Sequence, residues 1–112
     1  MTTPPDLDRL RRESPHCLGV AWFAGSPLQL AAASGERAGD AWPSWNTVAG
    51  LASTLLRGGP IASPEVLLRL PEVLLLVAEH AAGVVAVAVA LTPAGAGVAL
   101  VQARMTASQV NP

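Results

Sequence analysis

Val84-Val85-Ala86-Val87-Ala88-Val89-Ala90-Leu91 decides the fold of this chain. Its valines and alanines alternate with a period of two, which is the period of a strand and not of a helix. Val85, Val87, Val89 and Leu91 face one way and Ala86, Ala88 and Ala90 the other. Neither set is polar, so both faces of this strand need cover. The alanine face is shallow and admits a close-lying helix.

Working outward, Ala81-Ala82-Gly83 reads as a turn, and Val73 to His80 before it as a neighbouring strand. The leucines, alanine and glutamate of that run also suit a helix. Its length and the following turn favour the strand. Pro71 separates it from Ser63 to Leu70, which fits either a helical turn or an extended lead-in. On the C-terminal side, Thr92 to Gly97 forms a glycine-rich turn and Gly97 to Ala103 a last strand. The tail from Arg104 then has space for a short helix at most.

The N-terminal half supplies the remaining elements. Asp6 to Glu13 reads as a short helix, with acid at its start and arginines at its end, the polarity that suits the helix dipole. His16 to Phe23 and Leu28 to Ala33 form a hairpin across Ala24-Gly25-Ser26-Pro27. Asp40 is placed to cap a longer helix reaching Leu56, with Pro43 in its first turn. Trp45, Val48, Ala49, Ala52, Leu55 and Leu56 share one face of it, and Asn46, Gly50, Ser53 and Arg57 the opposite one. Gly58-Gly59-Pro60 ends it. The expected order is α-β-β-α-β-β-β: an α/β (α+β) domain whose five-stranded antiparallel sheet carries helices on both faces. One domain accounts for residues 1–112, with 1–5 and 108–112 as loose ends.

Composition narrows the function. Half of the 112 residues are apolar (51%) and 13% are charged, giving a mean hydropathy of +0.42. Small domains have few places to hide apolar side chains. That favours an apolar face buried in an oligomer over a sheet merely covered on both sides. The seven basic residues are all arginine and scattered, and the net charge is −1. Nucleic-acid binding needs clustered basic charge, so it is not expected. The single cysteine, Cys17, suits a reducing compartment and a cytoplasmic protein. The lysine-free, alanine- and arginine-rich composition points to a bacterial genome. Ala81 to Val101 carries no charge over 21 residues, close to a membrane span in length. Thr92 to Gly97 would break such a helix near its middle, so two strands and a turn are expected, without membrane insertion.

Catalytic chemistry finds no support. His16 and Cys17 are neighbours on a strand and so point to opposite faces. Glu79 and His80 fail on the same geometry. The two histidines and one cysteine lack ligand spacing for a metal. Gly95-Ala96-Gly97 lacks the lysine of a phosphate-binding loop. Solvent or a salt bridge accounts for Arg37 and Arg57. Trp42 and Trp45, at the start of the long helix, read as packing residues or as an interface anchor.

The element order, Leu18-Gly19-Val20-Ala21-Trp22-Phe23 followed by Leu28 to Gly35, the helix segment Val48-Ala49-Gly50-Leu51-Ala52, and Gly83 to Leu91 together resemble the roadblock / dynein light chain family. The resemblance spans Asp6 to Ala107. It departs at the first hairpin, where Gly25-Ser26-Pro27 replaces a frequent Asp-Gly, and in the closing helix, which is expected to be short and to leave part of a sheet face bare. The resemblance implies a non-enzymatic, profilin-like module without a cofactor, pairing as a homodimer or with a paralogous chain. Bacterial relatives commonly serve small Ras-like GTPases as partners or regulators. Carried over, the interface would use Asn46, Gly50, Ser53 and Arg57 with the strand residues Val73, Leu75 and Val77. The alternative is a small-ligand sensor, which would need a sizeable apolar cavity with converging polar groups.

Overall fold

The computed structural model describes residues 6–25, 27–35, 44–57, 65–80, 82–91 and 95–110. The elements run α1 (Leu7–Glu13), β1 (Cys17–Ala24), β2 (Gln29–Ser34), α2 (Trp45–Arg57), β3 (Glu65–Arg69), β4 (Val73–His80), β5 (Gly83–Ala90) and α3 (Ala96–Ser108). The strands form one sheet in the order β2-β1-β5-β4-β3, and every neighbouring pair is antiparallel. Five strands were expected and five form, but one of them is not the one expected.

The undecided stretch before Pro71 is strand β3. Three residues, Leu70, Pro71 and Glu72, join it to β4, and the Leu70 amide donates to the Val73 carbonyl at 2.8 Å. The segment read as a last strand, Gly97 to Ala103, is instead most of α3, a helix of 13 residues. Its valines suggested a strand, yet Ala99, Ala103 and Ala107 recur every fourth residue and are all buried. Alanine favours helix, and this stripe of small side chains lets α3 settle onto the bulky face of the sheet. Closure by α3 also corrects the expectation of a bare face. Residues 108–110 are not a loose end: Ser108 closes the helix and Val110 is buried, its carbonyl 2.6 Å from His80 Nε2.

Alternation along the strands sorts the core into two layers. Ala21, Phe23, Val73, Leu75, Val77, Val84, Ala86 and Ala88 meet Val48, Ala49, Ala52 and Leu56 of α2. Val20, Trp22, Leu74, Leu76, Val85, Val87 and Val89 meet Leu7 of α1 and the alanine stripe of α3. Helix α2 therefore lies on the alanine face of β5, as its shallowness suggested. Because β5 is central and wholly buried up to Val89, it needs no polar residue.

Local chemistry holds these elements in place. Asp6 caps α1 by accepting from the Arg9 amide at 3.1 Å. The start of α2 is held by Ser44, whose Oγ accepts from the Thr47 amide at 3.2 Å; Asp40 and Pro43 lie outside the described residues. Ser34, buried at the end of β2, receives Arg11 Nε at 2.8 Å and donates to Asp8, which ties α1 to the sheet. Gly83 is required by its neighbours: a β-carbon there would sit 2.4 Å from the Trp22 ring and 2.6 Å from the Phe23 carbonyl. Gly35 adopts φ +96°, and a β-carbon would come within 2.2 Å of the Leu18 carbonyl.

Candidate interaction surface

Every sheet of this kind has two edges, and unpaired edge backbone is a template for another strand unless something blunts it. Here the two edges differ. In β2 the register slips: Trp22 pairs with Ala32 but Phe23 with Leu30, leaving Ala31 as a bulge. Bulges twist an edge away from further pairing. At the other side, β3 pairs with β4 without a slip over all five residues, from Glu65↔Ala78 to Arg69↔Leu74. It carries no proline and no bulge.

The surroundings of β3 are apolar. Val66 and Leu68 point to the α2 side and are only partly buried. Beside them on α2 stand Leu51, partly covered, and Leu55, 43% exposed. Leu67, 41% exposed, points to the other face. There Arg104 of α3 makes a bidentate contact with the Glu65 carboxylate, Nη2 to Oε1 at 2.6 Å and Nε to Oε2 at 3.1 Å. The hydrogen bonds to Glu65, and then its opposite charge, hold the Arg104 guanidinium above its usual value. The outer side of α3 adds Val98, Val101 and Met105, all exposed.

The residues picked from the sequence are not brought together. Val73, Leu75 and Val77 lie in the core beneath α2, and β4 is an internal strand, so their side chains cannot meet a partner. The strand at the edge is β3. Asn46, Gly50 and Ser53 do share a surface, but it is an open groove between α2 and β2 with Pro27, Gln29 and Leu30 as its other wall. Arg57 is the last residue of α2. Arg37 and Trp42 lie outside the described residues. Trp45 begins α2 and packs partly buried on the α2-side core.

The sequence signal missed was Glu65-Val66-Leu67-Leu68-Arg69 itself, an apolar run with opposite charges at its ends. Its short length and the flanking prolines hid the strand.

The groups singled out for chemistry lie away from this surface or, among the described residues, do not combine into a site. Cys17 is half-buried with its Sγ 3.6 Å from the Gly19 carbonyl, and burial pushes its thiol up, away from the reactive thiolate. His16 stands in a turn at φ 58°, not on the strand where it was expected. His80 meets the edge of Trp22, with ring centroids 6.4 Å apart and planes at 87°. Among the described residues no group of three or more His, Cys, Asp or Glu side chains could hold a metal. Among them, too, no helix is long and apolar enough to cross a membrane. The apolar notch between Leu51, Leu55, Val66 and Leu68 offers about 10 Å³, room for about one water at most.

No protein-family model matches the sequence, and no curated protein does. Among solved structures, the chain is similar to a Roadblock/LC7 domain from Streptomyces avermitilis, with a TM-score of 0.59 over 90% of this chain and 88% of that one, at 19% identity. The fold is roadblock-like. The long closing helix, expected to be curtailed here, is present as α3.

Proposed function

We propose that this chain is a non-enzymatic interaction module that pairs with a second roadblock-like chain across β3 and the adjoining flank of α2. The paired unit then serves as a scaffold or regulator for a small Ras-like GTPase. The observation that carries the pairing is the regular, unbulged edge of β3, flanked by the exposed Leu55 and Leu67. Adding a strand there would satisfy outward backbone groups with hydrogen bonds while covering leucine side chains that otherwise face water. The surplus of apolar residues in so short a chain supports the same reading. The GTPase part is supported by the family resemblance of Leu18 to Phe23, Val48 to Ala52 and Gly83 to Leu91.

Solution mass by light scattering over a wide dilution range tests the pairing. A mass near twice 11.4 kDa is expected, and a monomer at all concentrations would refute self-pairing. Titration against a Ras-like GTPase in its GDP- and GTP-analogue-bound forms tests the second part; binding to neither form would remove it. A ligand-sensing role has less support, since the grooves around α2 are open and the apolar notch is too small for a ligand.

A further inference from the structure

We infer that Glu65 and Arg69 form a self-recognition code that selects an identical chain as partner and fixes its register, antiparallel and centred on Leu67. The inference rests on the pairing reading above and adds to it which partner is chosen and how the strands align.

The argument begins with the backbone. The Leu70 amide bonds to Val73 across the β3–β4 turn. Hydrogen-bonding direction alternates along a strand, so Leu68 and Val66 also bond toward β4. Glu65, Leu67 and Arg69 therefore turn their N–H and C=O groups away from β4, to the side where no described strand pairs with them. An antiparallel partner must place outward residues opposite outward residues. For two identical strands related by a two-fold axis, that puts the axis on a residue and never between residues.

Three positions of the axis overlap most of the strand. Centred on Val66, Glu65 faces Leu67 and Arg69 is left outside. Centred on Leu68, Arg69 faces Leu67 and Glu65 is left outside. Centred on Leu67, all five residues overlap: Leu67 meets its own copy, Val66 meets Leu68, and Glu65 meets Arg69 at both ends. This arrangement alone pairs opposite charges, and it does so twice. It also makes Leu67 and the two charged pairs the positions that exchange backbone hydrogen bonds. Parallel pairing would set Glu65 against Glu65 and Arg69 against Arg69, like charges directly opposed.

Side-chain direction agrees. Glu65 lies on the α3 side, where Arg104 holds it, and Arg69 is on the same side by alternation. Arg69 is exposed and joins no ion pair among the described residues. In the two-fold arrangement Arg69 of the second copy comes opposite Glu65 on the same face, a second guanidinium beside the carboxylate that Arg104 holds. Exposed ion pairs add little strength. Their effect is on which partner and which register are tolerated, because a misaligned or mismatched strand meets a like charge or none.

The test uses the full chain and charge reversal. Self-association is measured by sedimentation velocity for the wild type, Glu65→Arg, Arg69→Glu, the doubly reversed chain, and an equimolar mixture of the two single variants. Each single variant should self-associate roughly tenfold more weakly, since reversal turns two attractive contacts into two repulsive ones. The doubly reversed chain should recover part of the lost affinity, since position 65 no longer has its Arg104 contact, and the mixture should form a heterodimer in preference to either homodimer, seen as the mixed species in native mass spectrometry. Arg69→Glu leaves the Glu65–Arg104 contact intact, so it reads the code even where Glu65→Arg perturbs folding. A wild-type dimer indifferent to all these changes would overturn the register while leaving pairing itself in place. A wild-type monomer would overturn the pairing reading, and this inference with it.

Discussion

Replacing Leu55 with alanine removes a side chain that the monomer leaves 43% exposed and that pairing across β3 would cover. Fully burying a leucine contributes about 1.5–3 kcal/mol. The portion still open in the monomer is therefore worth about 1 kcal/mol in each copy. A two-fold interface uses the residue twice, so Leu55→Ala should weaken the dimer by about 2 kcal/mol, roughly 30-fold in Kd. Leu30 provides the matched control. It is 39% exposed, a nearly equal apolar loss on truncation, but it belongs to the bulged edge and lines the groove on the β2 side of α2. Sedimentation velocity on dilution series of both variants makes the comparison, with circular dichroism to establish that each is folded. The expected result is a large shift for Leu55→Ala and less than a threefold shift for Leu30→Ala. Equal shifts, or none in folded Leu55→Ala, would refute the assignment of the interface to the β3 side.

Other outcomes follow from single residues. Gly83→Ala should destabilise the fold by about 3 kcal/mol, because the added methyl meets a backbone carbonyl as well as the Trp22 ring; a urea midpoint lowered by roughly 1–3 M at fixed protein concentration is the readout. Gly50→Ala should raise stability by about 0.5–1 kcal/mol, since it removes a mid-helix glycine at a position with nothing within 4 Å; thermal unfolding measures it, and a loss of stability would contradict the open placement of Gly50. Cys17, with its thiol pushed up by burial, should hold less thiolate at pH 8 than a free cysteine. Iodoacetamide should therefore alkylate it several-fold more slowly, and denaturant should abolish the difference.

What the sequence disclosed and what it concealed follow one physical distinction. Val84 to Val89 is buried on both faces, so its alternation is dictated by the pleat alone and reads directly. The α1 helix announces itself by charge polarity, whereas the strand-geometry argument against a His16–Cys17 pair loses its premise, since His16 stands in a turn. Gly97 to Ala103 misled because its pattern is set by what it lies against. Alanines are small there because the valines of the sheet beneath are large, and only the assembled layer makes that relation visible. The same holds for the interaction surface. Asn46, Gly50 and Ser53 are found together, as helical spacing requires. Whether they faced a partner depended on which strand reached the edge, a property of sheet order rather than of any one segment. Val73, Leu75 and Val77 fell inside once Glu65 to Arg69 took the outer place.

The slip at Ala31 has a consequence for stoichiometry. A sheet with two equally receptive borders can add copies head to tail, each new one exposing a fresh border, and the product is an endless ribbon. Among the described residues one border is crimped and the other is regular, so the two-fold union proposed above would use the regular border of both molecules at once. What remains outside is two crimped borders, and growth stops at two. On this view the irregular pairing of Trp22 with Ala32 and Phe23 with Leu30, far from the partner, is what keeps an apolar, lysine-free chain from polymerising.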